Sequence, residues 1–320
     1  MIYITLILSL TLLVVGANWL VDGSAAIARR YHISEYIIGA TIVGMGTSTP
    51  ELVVSVISAV EGHSDIAIGN VVGSNIFNVF FILGITALML PIQYTRNNIH
   101  RDIPINIAAS VIGIILCILS RICNGEYGLD RIDGLIMLLL FGLYLWSTLR
   151  GERNQQDCPN ETATPLTGYY RHTALCIVAI IAGLASLIYG GGIFVSSASA
   201  IAREWGVSEA IIGLTIVAGG TSLPELASSI IAITKNRTQM ALGNIVGSNI
   251  FNLLLILGTA STICPLTMGG ITFIDWGMML LSALALLTAS FTFTKRQLDR
   301  KDALIFLFIY AGYMVWLFHC

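Results

Sequence analysis

Long apolar runs, cut by short polar intervals, dominate the 320-residue chain. A helix rises about 1.5 Å per residue, so crossing a hydrocarbon core takes about 20 apolar residues. Read between polar breaks, ten segments approach or exceed that length: 2–29, 36–60, 66–91, 103–120, 132–149, 173–202, 209–234, 240–263, 272–293 and 303–319. The longest polar interval, "RGERNQQDCPNETATPLTGYYRH" (150–172), separates the fifth from the sixth and reads as a cytoplasmic linker. The pattern predicts an all-α integral membrane protein with ten transmembrane helices.

The pattern also repeats. Residues 27–84 align without a gap on 201–258, an offset of 174, with 32 identities in 58 positions. "RRYHISEYIIGATIV" answers to "REWGVSEAIIGLTIV", and "GNVVGSNIFNVFFILG" to "GNIVGSNIFNLLLILG". Spans one to five are thus duplicated onto six to ten. The first repeat covers 1–149, with its motif at 39–84, and the second covers 173–320, with its motif at 213–258. Five is odd, so the second copy enters the membrane from the opposite face. Inverted-topology repeats of this kind build many secondary transporters, with the substrate site near the midplane.

Composition and charge agree with a membrane protein. The chain is 56% hydrophobic and 11% charged, with mean hydropathy +0.84, where soluble domains carry about 25% charged residues. A net charge of −2 offers no basic patch for nucleic acid. The loops are too short for a soluble enzyme domain. No Lys or Arg precedes Arg29, so the first span lacks the basic region of a cleaved signal peptide and reads as a retained helix. Of sixteen Lys and Arg, thirteen fall on one side of the ten-span arrangement and only Arg121, Arg131 and Arg203 on the other. By the positive-inside rule both termini face away from the cytoplasm, in a cell inner membrane. The cluster "KRQLDRK" (295–301) reads as a topology anchor. Cys117, Cys123, Cys158, Cys176, Cys264 and Cys320 form no CxxC pair, which argues against a disulfide framework or a zinc site.

Candidate chemistry sits where the apolar pattern is violated. "GMGTSTPELVVSV" (44–56) and "AGGTSLPELASSI" (218–230) each place a proline and a glutamate at mid-membrane depth. Pro50 and Pro224 have no N–H and crowd the carbonyl one turn back, freeing backbone oxygens. Within a bilayer such oxygens are tolerated only when buried or lining a cavity. An intramembrane carboxylate costs at least about 2.5–3.5 kcal/mol, so Glu51 and Glu225 must face the interior and meet a cation or a proton. Thr47, Ser48, Thr221 and Ser222 add hydroxyls. The following spans carry polar stripes at every fourth position: Asn70, Ser74 and Asn78, then Asn244, Ser248 and Asn252. Oxygen ligands without His or Cys suit Ca²⁺ or an alkali ion. Asn75, Asn249, Gly73 and Gly247 read equally well as interhelical packing.

"GTSTPE" with "GNVVGSNIFN", followed by "GTSLPE" with "GNIVGSNIFN", resembles the paired α-repeats of the calcium/cation antiporter superfamily, and most nearly the prokaryotic sodium/calcium exchanger type. The resemblance covers essentially the whole chain. It implies a non-enzymatic transporter with no cofactor, in which the long first helices of each repeat slide past a core of helices two, three, seven and eight. By position it implies cation ligands at Thr47, Ser48, Glu51, Ser74 and Asn78, and at Thr221, Ser222, Glu225, Ser248 and Asn252. Backbone carbonyls near Gly44 and Ala218 complete the set. Two departures stand out: Thr49 replaces the usual Leu, and Asn252 is an amide where some members carry aspartate. The second leaves sodium stoichiometry, electrogenicity and potassium coupling open.

These readings lead to exchange of Ca²⁺ for Na⁺ by alternating access, with the lipid bilayer as the surrounding partner. A buried glutamate holds its proton more readily, so Ca²⁺/H⁺ antiport by the same two glutamates is the alternative. A passive channel and an intramembrane enzyme are weaker rivals; the five histidines all fall near span ends. Asp22 has Ser196 as its counterpart and is expected to pair with Arg29 or Arg30, with direct ion binding as the alternative.

Overall fold

A computed structural model describes residues 2–124, 126–151, 172–206 and 218–317. Most of the linker, and residues 207–217 at the start of the expected seventh span, lie outside the described residues. Helix occupies each of the ten expected intervals. The elements are α1 (Ile2–Tyr31), a bent pair α2 (Glu35–Thr47) and α3 (Thr49–Val60), α4 (Ser64–Met89), α5 (Asn98–Ile122), α6 (Arg131–Arg150) and α7 (Thr173–Glu204). After a single turn at Ala218–Gly220 come α8 (Leu223–Thr234), α9 (Thr238–Ile263), α10 (Phe273–Ala289) and α11 (Arg300–Leu317). Six of these are long and apolar enough to cross a bilayer, seven if the bent pair counts as one span. α10 has 17 residues and is shorter than the apolar interval suggests. A capping box between Thr272 and Asp275 starts it, satisfying backbone donors that would otherwise be orphaned, and it ends before the Thr- and Phe-rich stretch at 290–294.

The motif prolines start helices rather than kink them. Helix is broken at Ser48, whose ψ opens to 9°, and at the Thr221–Ser222 turn, where the ψ of Ser222 is 10°. Pro50 and Pro224 are the second residues of the helices that follow, where a missing N–H costs nothing. The first break bends the chain by 45°. At the end of each "GSNIFN", the helix widens to π geometry, at Phe77–Leu83 in α4 and Asn252–Leu257 in α9. Such widenings occur often at functional positions.

The described chain divides into two compact units, residues 1–50 with 154–245, and residues 51–153 with 246–320. Each draws on both sequence repeats. In the first unit α1 and α7 run antiparallel with their backbones nearly touching. A Cβ on Gly16 would lie 2.9 Å from the Gly183 carbonyl, and one on Gly183 would lie 2.7 Å from the Gly16 carbonyl. Gly23 stands equally close to the Cys176 carbonyl, and Gly190 faces Leu12 and Ser9. Small residues at this spacing allow such an approach in a bilayer, where packing rather than water drives association. α2 meets the start of α9 in the same way, Gly39 against the Met240 carbonyl and Gly243 against that of Tyr36.

In the second unit α4 packs on α10 and α11, α5 on α10, and α6 on α9. Phe80 meets Phe306 edge-on, and Phe77 and Phe81 surround Tyr310. Two short antiparallel bridges close the loops: β1 (Ile92–Gln93) pairs with β4 (Gln297–Leu298), and β2 (Gly128–Leu129) with β3 (Leu266–Thr267). In both, the loop after the third span of one repeat meets the loop before the fifth span of the other. Nothing in the apolar pattern announced these bridges.

Candidate ion-binding site

In the first unit the break after Thr47 brings two hydroxyls of the first motif onto α8 and α9. Ser48 Oγ donates to Glu225 Oε1 at 2.7 Å, across 177 positions of sequence. Thr47 Oγ1 lies 3.3 Å from both the Gly44 carbonyl and Asn244 Oδ1. Asn244 Nδ2 donates to Ser228 Oγ at 3.0 Å, to Ser229 Oγ at 2.9 Å and to the Glu225 carbonyl at 3.4 Å. This fastens the first two turns of α8 to α9. Glu225, Ser222, Ser48 and Thr47 are fully buried, and Thr221 is half-buried. Ala218 opens the single turn before the break. Glu225 is therefore a buried carboxylate that accepts from the Ser48 hydroxyl of the other motif.

The second unit holds the other expected ligands. Glu51 is buried at the start of α3. Asn70 Nδ2 donates to the Glu51 carbonyl at 3.2 Å and to Ser55 Oγ at 3.0 Å. Those bonds repeat, 174 positions earlier, the ones Asn244 makes to the Glu225 carbonyl and Ser229. Ser74 and Ser248 are buried on α4 and α9. Where these helices cross, four asparagines interlock. Asn78 Nδ2 donates to Asn249 Oδ1 at 3.1 Å, and Asn252 Nδ2 to Asn75 Oδ1 at 3.0 Å. Asn75 and Asn249 each donate to the other's backbone carbonyl, at 3.2 and 3.4 Å.

The expected ligands thus fall into two groups. Thr47, Ser48 and Glu225 are joined in one, with Gly44; Asn78 and Asn252 belong to the other. Sequence reasoning placed Asn70 and Asn244 on the right stripe but did not see that they fasten the glutamate-bearing helices. It left Asn75 and Asn249 undecided, and the structure gives each a direct bond to an expected ligand. The available signal was their spacing, three residues before Asn78 and Asn252 in a hexapeptide identical in both repeats.

Asp22 pairs with Lys235 Nζ at 2.8 Å, not with Arg29 or Arg30 as expected. Lys235 follows α8, and α8 packs on α1, so the contact is made between helices rather than along one. Close by, the buried Arg237 pairs with Glu35 at the start of α2. Among the described residues no cluster of three His, Cys, Asp or Glu side chains forms a metal site. The polar interior is built from carboxylate, hydroxyl, amide and carbonyl oxygens, the donor set of hard cations.

Comparison with known proteins identifies the family. The family described as "Sodium/calcium exchanger protein" matches residues 1–150 and 175–319. The inner membrane protein YrbG of Escherichia coli (strain K12) is 32% identical over 317 residues, covering 98% of this chain and 94% of the relative. The sodium/calcium exchanger MaX1 of Methanosarcina acetivorans is 29% identical over 346 residues, covering 99% and 98%. The solved sodium-calcium exchanger NCX_Mj, soaked with 10 mM Na⁺ and zero Ca²⁺, superposes with a TM-score of 0.83 at 30% identity, over 98% of this chain and 99% of that one. The same exchanger soaked with 2.5 mM Na⁺ and 0.1 mM Ca²⁺ gives 0.79, with 97% and 96% covered. Duplicated motifs, buried oxygen-rich interior and whole-length likeness agree: this chain belongs to the sodium/calcium exchanger family of membrane antiporters.

Proposed function

We propose that this antiporter exchanges Ca²⁺ for Na⁺ across the cytoplasmic membrane by alternating access. Its ten spans form two inverted five-helix repeats, 1–149 and 173–320, joined by a cytoplasmic linker at 150–172, with both termini outside. The cation ligands are Thr47, Ser48, Glu51, Ser74 and Asn78 from the first repeat, and Thr221, Ser222, Glu225, Ser248 and Asn252 from the second. Carbonyls at Gly44 and Ala218 complete the set. The observation that carries this reading is the hydrogen bond from Ser48 to Glu225. It joins a hydroxyl of one motif to the carboxylate of the other, in a buried setting where only a cation or a proton can offset the charge.

Glu51 and Glu225 together match the two charges of Ca²⁺. Sodium ions compete for the same oxygens, so the protein carries one load or the other, and exchange follows when access changes only with the charge compensated. No cofactor enters this scheme. The test is uptake of radioactive Ca²⁺ into Na⁺-loaded proteoliposomes, with and without an outward Na⁺ gradient, at matched pH. Uptake should require the gradient and vanish in Glu51→Gln and in Glu225→Gln. Uptake indifferent to Na⁺ but driven by an imposed pH gradient would overturn sodium coupling.

A further inference from the structure

A backbone carbonyl only accepts hydrogen bonds, and this sets the direction of every amide in the asparagine cluster. Asn75 Nδ2 lies 3.2 Å from the Asn249 carbonyl, and Asn249 Nδ2 lies 3.4 Å from the Asn75 carbonyl. Each of these side chains must therefore turn its Oδ1 the other way. There Asn75 Oδ1 accepts from Asn252 Nδ2, and Asn249 Oδ1 from Asn78 Nδ2. With their NH₂ groups held, Asn78 and Asn252 have their amide oxygens on the side away from the bracing pair. Both oxygens are fully buried, and among the described residues neither accepts a hydrogen bond. A buried acceptor left unmet is costly, and a hard cation satisfies an amide oxygen where no donor is in reach.

We infer that Asn75 and Asn249 are positioning residues of the ion site. Each locks the amide of a ligand on the opposite repeat so that oxygen, and not NH₂, faces the cation. The assignment is crosswise: Asn75 serves Asn252, and Asn249 serves Asn78. An amide free to flip presents its positive NH₂ edge to the ion in one of two orientations, which weakens binding without removing a ligand. This inference rests on the reading of Asn78 and Asn252 as cation ligands.

The crosswise pattern is what a double-mutant cycle reads. Ca²⁺ affinity is measured by calorimetric titration of purified protein in detergent, for alanine variants at 75, 78, 249 and 252 and for their pairs. Asn75→Ala alone should weaken Ca²⁺ binding about tenfold, the scale of one lost orienting hydrogen bond. It should add nothing in the Asn252→Ala background and its full factor in the Asn78→Ala background; Asn249→Ala should show the mirror image. Interhelical packing would give equal, additive effects in both backgrounds, and that result would overturn the positioning role while leaving the ligands in place. If Asn78→Ala and Asn252→Ala themselves leave affinity unchanged, the ligand reading fails, and the inference with it. Asn75→Ser and Asn249→Ser, which keep a smaller polar group, serve in the same cycle where an alanine variant does not fold.

Discussion

At Ser48 one hydroxyl orients a buried carboxylate, that of Glu225. Hydrogen bonds to charged groups are worth about 1.5–3 kcal/mol, and about 1.4 kcal/mol is tenfold in affinity. Ser48→Ala should therefore raise the KM for Ca²⁺ at least about tenfold while the protein remains folded, read in the same proteoliposome assay. A different outcome is expected at Glu35. Its partner Arg237 is fully buried, and removing one member of a buried pair leaves an uncompensated charge at a cost of about 3 kcal/mol. Glu35→Gln should depress the thermal unfolding midpoint sharply and spare ion selectivity. The two cases also mark how far side-chain chemistry was legible in the sequence. Glu51 and Glu225 stood out because a carboxylate is foreign to an apolar run. Arg237 did not, because it sits among basic residues at a span end, where an exposed arginine and a buried one look alike. Asp22 was ambiguous for the same reason: sequence offers neighbours at helical spacing, whereas Lys235 reaches it from another helix.

Among elements, the breaks were legible and their form only in part. A proline after glycines announces an interrupted helix, but not that Pro50 becomes the second residue of the next one with a 45° bend at Ser48. The π-helical stretches at Phe77–Leu83 and Asn252–Leu257 were invisible, since widening a turn depends on what packs against it and not on propensity. The seam of α1 and α7 went unread, since a glycine within an apolar span does not say which helix it meets. With those contacts in hand, the glycines are not equivalent. A Cβ at Gly183 meets backbone at 2.7 Å on α1, while one at Gly192 on the same helix meets nothing within 4 Å. Gly183→Val should destabilise the protein by about 1–3 kcal/mol through overpacking. Gly192→Ala should leave it unchanged or slightly more stable. Thermal unfolding of the two variants in detergent separates these outcomes.

On the scale of the whole molecule, duplication was the most legible feature, because identity at a constant offset needs no structural knowledge. The compact units were not legible. Each combines segments from both repeats, since contact follows packing across the bilayer rather than order along the chain. Orientation remains a matter of charge: the thirteen-to-three imbalance predicts that Lys295→Cys, at an exposed position, reacts with an impermeant maleimide in inverted vesicles and not in intact cells. A tag fused ahead of Met1 should be reachable only in intact cells. The glycine seam has one more consequence at this scale. Two helices whose backbones touch at Gly16 and Gly183, and again at Gly23 and Cys176, cannot shear past one another without collision. Any axial displacement of one is shared by the other, so the pair behaves as a single piston rod. A rod has one position at a time. In the exchange proposed above, an advance at one membrane face would be a retreat at the other, and a conformation open to both sides would require the rod to change length.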